Sequence, residues 1–223
     1  MAVIIDISKK MKKNGFLLFA LTAALLLATS NVMAQDTVKR SGDDLLRFGG
    51  NLSFMTSKTY IYDGYRGMNG YSWRPGVSFL AEYEHVWPSG WGIGTTLDYN
   101  HTVYDGNMYK SSYAFNLFYW GVGGVYHLPL GQHWKLNFNL GLGWAHVGGD
   151  ADEESSGVGL MQKVGAEYRL SPLVGLNLQL AGIASSFPEP DTFKELQRRS
   201  PGEVEGSYGF HRLELSAGIT VHL

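Results

Sequence analysis

Cysteine is absent from all 223 residues, which excludes disulfide staples, thiolate metal centres and a lipid-modified cysteine. Beyond the N-terminal region no run of eighteen apolar residues occurs, so no helix of membrane-spanning length holds the chain in an inner membrane. Positive charge is not in excess either. The 18 Lys and Arg against 20 Asp and Glu give a formal charge of −2, which offers no basic footprint and argues against nucleic acid as a partner. The seven histidines stand singly, with no H-x-H or H-E-x-x-H spacing. Glycines, by contrast, number 29 and aromatic residues make up 13%. The mean hydropathy of −0.11 is that of a soluble protein, but alternating strands average out to the same value.

The first residues read as an export signal. Met11-Lys12-Lys13 is a basic start, Phe16 to Ala28 is a thirteen-residue apolar run, and Val32-Met33-Ala34 supplies small residues for cleavage before Gln35. Residues 1–34 are therefore expected to be removed, with Met11 as an alternative start, and 35–44 to form a polar lead-in. The mature chain keeps 14 basic and 19 acidic side chains, a net charge of −5.

The clearest local signal is Trp134 to Ala145. Trp134, Leu136, Phe138, Leu140, Leu142 and Trp144 alternate with Lys135, Asn137, Asn139, Gly141, Gly143 and Ala145. A period of two predicts a strand with one apolar and one polar face. Tryptophans at both ends of a row roughly 25–30 Å long match the interfaces of a bilayer. Seven further segments repeat the pattern: Leu46 to Phe54, Val77 to Trp87, from Trp91 to Asn100, Tyr113 to Leu128, Val158 to Leu170, Val174 to Leu180 and Arg212 to Leu223. In the Tyr113 segment the alternation shifts phase, from Phe115, Leu117 and Tyr119 to Val122, Tyr126 and Leu128, which predicts a bulge or glycine kink. Connections after the even-numbered strands are short (Pro88-Ser89-Gly90, Pro129 to Gln132, Ser171-Pro172) and the others long. The Gly- and Tyr-rich 57–75, the loop marked by Asp105-Gly106-Asn107, the acidic 148–157 and 187–207, with its Thr192-x-x-Glu195 capping box, are the longer ones. The expected fold is all-β: an eight-stranded antiparallel up-and-down transmembrane barrel over 45–223, with short periplasmic turns and longer extracellular loops.

With its signal peptide and strands such as G-L-N-L-Q-L (175–180) and A-E-Y-R-L-S-P (166–172), the chain resembles the small eight-stranded outer-membrane β-barrel proteins of Gram-negative bacteria, OmpX-like and PorT-like porin-family barrels. The resemblance covers residues 45–223. It implies the outer membrane as location, lipid and lipopolysaccharide as surroundings, and the barrel-assembly machinery as a partner. Such barrels usually finish on an aromatic residue that this machinery recognises, whereas Leu223 ends this chain.

A soluble lipocalin-like barrel is the rival architecture. It would turn Leu, Phe and Trp into an interior that holds little more than its own side chains, whereas a face of such residues almost free of charge suits lipid. In the membrane reading the lumen receives Arg47, Glu82, Glu84, Asp98, Lys135, Lys163, Glu167, Arg169, Arg212 and Glu214. Charges shielded from water must pair, so these predict a structural ion network, notably Glu82 and Glu84 against Arg169 and Arg212 on later strands, with barrel shear deciding which of them touch. Trp87, Trp91, Trp134, Trp144, Tyr104 and Tyr113 are expected to form the interfacial girdles. His127 and His133 flank one turn and could meet across it, although isolated histidines at a membrane interface are more often simply amphipathic.

No catalytic, cofactor or metal residues are assigned. No His is followed two positions later by Ser, as in a lipid A deacylase of this architecture. His211 near Glu214 and Ser216 has no triad spacing. The acidic stretch Asp150, Asp152, Glu153 and Glu154 reads as a solvated loop rather than a cation site. The favoured function is a non-enzymatic outer-membrane protein with a side-chain-filled lumen, presenting extracellular loops to the envelope, a protein or a glycan. The alternatives are a lipid-modifying envelope enzyme and a small-solute channel. A Ser, a His and a carboxylate converging on the outer rim would discriminate the enzyme.

Overall fold

The computed structural model describes residues 42–56, 72–105, 112–149, 154–188, 198 and 209–223. The export signal, the greater part of the lead-in, the centres of the 57–75 and 148–157 loops and the capping box lie outside the described residues.

The strands are β1 (Asp43–Met55), β2 (Ser72–Trp73), β3 (Gly76–Val86), β4 (Trp91–Asp105), β5 (Ser112–Leu130), β6 (Trp134–Gly149), β7 (Ser155–Arg169), β8 (Val174–Ser186) and β9 (Gly209–His222). Eight of them close a ring in the order β1-β3-β4-β5-β6-β7-β8-β9, and β9 returns to β1 with Leu45 opposite His222. Every pairing is antiparallel, and the ring leaves no unpaired edge to meet lipid. The two-residue β2 is an outgrowth of the first long connection, with Trp73 opposite Tyr104.

Three tight turns stand at the rim that also carries both ends of the barrel segment. Gly90 and Gly131 supply the left-handed backbone (φ 85° and 83°) that two of them need. The third is fixed by Ser171, whose Oγ accepts hydrogen bonds from the N–H groups of Leu173 and Val174. The turn expected at Pro129 to Gln132 falls slightly later, because Pro129 and Leu130 still pair with Lys135 and Trp134.

Alternation sets the two faces. Leu52, Phe79, Ile93, Leu142 and Val158 are exposed by 52–64% on the outside, while Arg47, Glu82, Glu84 and Asp98 are at most 3% exposed within. A water-soluble barrel reverses this arrangement, so the soluble reading fails. The apolar belt is bounded below by Trp87, Trp91 and Trp134, each exposed beside a short turn, and above by Trp144. Trp134 and Trp144 are ten residues apart, about 33 Å along the strand and about 25 Å along the barrel axis at the usual tilt. Tyr104 and Tyr113 pair with each other at the upper ends of β4 and β5, but their side chains lie outside the described residues.

The expected bulge in β5 is absent. Its register with β6 runs unbroken from Phe115 opposite Gly149 to Leu130 opposite Trp134. Phe115, Leu117, Tyr119 and Val125 all point inward, while Trp120 and Val122 point outward. The apparent phase shift arose because large apolar residues fill part of the lumen. Phe115, Leu117, Ala145, Val147, Phe187 and Phe210 form one buried cluster near the long-loop end. Tyr119, Met161 and Ile183 continue it inward, and Leu45, Val86 and Val125 form a small cluster near the short turns.

Candidate functional site

Between these apolar layers the lumen is polar. The residues that build it sit on the inward phase of every long strand, one pleat apart, which is why single side chains from opposite walls can reach each other.

Nearest the short turns, Arg47 reaches Glu84 (2.5 Å) and Glu167 (3.3 Å) across the barrel. Glu84 also holds His127 Nε2 at 2.8 Å. Glu167 gathers Lys135 Nζ at 3.3 Å and His222 Nε2 at 2.8 Å. Arg169 donates to His222 Nδ1 at 2.9 Å. Nδ1 is therefore the acceptor, and the Nε2–H of His222 donates to Glu167.

At the next level Glu82 pairs with Lys163 and accepts from Thr96 (3.0 Å) and Gln179 (3.2 Å). Higher still, Arg212 forks between Asp98 and Glu214, its Nε lying 2.6 Å from Glu214. Asn51 donates to both carboxylates (3.3 and 3.0 Å), and Ser78 donates to Glu214 at 3.0 Å. Eight of the ten charged residues named from the sequence are buried. Lys135 and Arg169, near the rim, are half-buried.

The register decides which of the lumen charges touch, a point that the sequence leaves open. Glu82 and Glu84 meet Lys163 and Arg47, not Arg169 and Arg212. The stagger of the strands around the barrel decides which levels face each other, and alternation carries no information about stagger. His127 and His133 do not meet, since His127 points into the lumen and His133 sits exposed in the turn beside Tyr168. His127, His222, Asn51 and Gln179 are lumen residues that charge alone did not flag. For three of them the signal was present, because they share the inward phase with neighbouring charges. β5 carries no charged residue, so His127 is marked only by its alternation with the apolar Val122, Tyr126 and Leu128.

One constellation lies on the outer face near the loop rim. His146 Nδ1 is 3.0 Å from Ser156 Oγ across the β6–β7 register, and the imidazole stacks on Trp144 with centroids 5.6 Å apart. Glu154, two residues before Ser156 on the same face, approaches Gly148, but no ion pair joins it to His146. Among the described residues no group of three His, Cys, Asp or Glu is arranged to hold a metal ion.

The model of the outer membrane protein β-barrel domain matches residues 20–199. The chain belongs to this family of outer-membrane β-barrels. It is a protein of the Gram-negative outer membrane, and its belt is the surface that meets lipid. Solved structures of the same architecture include Neisserial surface protein A (16% identity, 82% of this chain and 99% of that one, TM-score 0.52). OprG of Pseudomonas aeruginosa is similar at 11% identity, with 82% and 97% covered and a TM-score of 0.52. These identities establish a shared barrel and nothing finer. No curated protein sequence matches the chain.

Proposed function

We propose that this outer-membrane barrel is non-enzymatic, is exported by the signal in residues 1–34, and works through its extracellular connections on lipopolysaccharide, a protein or a glycan. The observation that supports this is the filled lumen. Charged side chains bond across the barrel on three levels beneath a cap of Phe115, Leu117, Phe187 and Phe210. A rigid, plugged cylinder leaves the loops as the variable surface, where function concentrates in such scaffolds. The test is binding of lipopolysaccharide and of surface glycans or proteins to the full chain in nanodiscs, beside a variant with 57–71 replaced by a two-residue turn. Loss of binding in the variant is expected; undiminished binding contradicts the reading.

A second reading rests on Ser156 and His146. A serine hydroxyl bonded to an imidazole at the upper edge of the lipid belt is placed to attack a lipid ester, with the imidazole taking its proton. Among the described residues no carboxylate bonds the other imidazole nitrogen to orient it. Release of fatty acid by the wild-type protein and its loss in Ser156→Ala supports this reading; no release from the wild-type protein removes it.

A further inference from the structure

The lipid-facing belt contains one residue that does not fit lipid. Gln162 on β7 is exposed on the outward phase, between Leu160 and Val164. Its depth follows from the register. Trp144 of the upper girdle stands opposite Val158, and Trp134 of the lower girdle stands opposite Tyr168. Gln162 is four residues from the first level and six from the second, so it lies near the middle of the hydrocarbon. Aromatic hydroxyls aside, Thr95 is the other outward polar side chain in the central belt among the described residues. It is satisfied, donating to the carbonyl of Gly121 and accepting from the indole of Trp120. Among the described residues the carboxamide of Gln162 has no hydrogen-bond partner.

Lipid tails offer it none, and its short side chain cannot reach either interface. An unmet amide in hydrocarbon seeks a protein partner. Its immediate surroundings are shaped for close approach. Gln162 lies in a row across four strands, Gly124–Leu140–Gln162–Gly182, in which the two ends have no side chain. At Gly124 a Cβ would meet nothing within 4 Å, and at Gly182 the nearest group is Gln162 itself. Small residues let two walls come together, and the interface is then made by whatever polar group lies between them.

We infer that this face of β6–β8 is an interface between two copies of the chain, related by a twofold axis passing beside Gln162. A carboxamide donates through nitrogen and accepts through oxygen, so two copies satisfy each other in a reciprocal pair. A twofold axis brings each residue near its own counterpart. This self-complementarity favours a second copy over a different protein, which would have to supply a matching amide at the same depth. The dimer also needs no help from the loops, so the inference stands independently of what the loops bind.

The absence of cysteine makes the test direct. Leu160→Cys places a thiol one pleat from Gln162, and Phe79→Cys places one on β3, four strands away around the barrel. With the full chain at low density in phospholipid vesicles, oxidation is expected to give a covalent dimer from Leu160→Cys and not from Phe79→Cys. Adding Gln162→Leu, which removes the amide and suits lipid, is expected to reduce the dimer at least tenfold while the barrel stays folded. The uncross-linked wild-type chain should dimerise by single-particle counting or energy transfer in vesicles, and Gln162→Leu should not. A wild-type chain that is monomeric at every protein-to-lipid ratio overturns the inference. So does equal cross-linking from both walls, or a dimer indifferent to Gln162→Leu.

Discussion

Arg212 holds the uppermost level of the lumen together, and replacing it with methionine is the perturbation whose cost can be worked out most fully. The guanidinium bonds Asp98 and Glu214 at once, and both carboxylates are at most 1% exposed. Methionine fills similar space and removes only the charge and its donors. Two carboxylates then remain in a shielded site, with Asn51 and Ser78 as their neutral donors. Breaking a buried pair in this way costs about 3–5 kcal/mol, because the remaining charge has no compensation. The cost should be recoverable. The triple variant Asp98→Asn, Arg212→Met, Glu214→Gln leaves no charge on this level and is expected to lose clearly less than Arg212→Met alone. The assay is reversible urea unfolding in phospholipid vesicles, read by tryptophan fluorescence and by the mobility difference between unboiled and boiled samples on gels. If Arg212→Met unfolds within about 0.5 kcal/mol of the unmutated protein, the range of an ordinary surface substitution, the lumen charges are hydrated and the network is not shielded.

Other outcomes follow from the same geometry. Leu140→Arg, on the lipid face near the middle of β6, should cost about 2–4 kcal/mol, while Gly148→Arg above the upper tryptophan should cost little; equal effects in vesicle unfolding would contradict the assigned depth. Phe210→Ala empties part of the apolar cap and should cost about 3–5 kcal/mol by the same assay, whereas a near-neutral result would mean that the cap is loosely packed. The micelle-bound protein should give a β-type circular-dichroism spectrum, and a mostly helical one is incompatible with the fold.

Much of the barrel can be read in the chain because a membrane strand declares both its faces. Trp134 to Trp144 shows period, length and interfaces at once, and the Pro88–Gly90 and Ser171-Pro172 turns divide the remainder. The same rule misleads at β5. Phe115, Leu117 and Tyr119 are as apolar as any lipid-facing row, yet they plug the lumen, since the interior near the loops is also apolar. Tyr119 fits there because Gly121 and Gly159 leave room beside its ring, a spatial match that no local pattern carries. The charges of the candidate site were legible by phase, as with Arg47, Lys163 and Glu214. Their partners were not, because Arg47 and Glu167 are separated by 120 residues and meet only through the stagger of the closed sheet. Gln162 illustrates the converse case: one polar residue in an apolar row looks like noise until its depth is known.

Planar-bilayer recording of the unmutated protein bears most directly on the central claim, that paired charges and an apolar cap close this barrel. A closed lumen predicts a quiet membrane, and in Arg212→Met it predicts that stability falls before any current appears. Steady, large and weakly selective channels from the unmutated protein would show that the lumen is open.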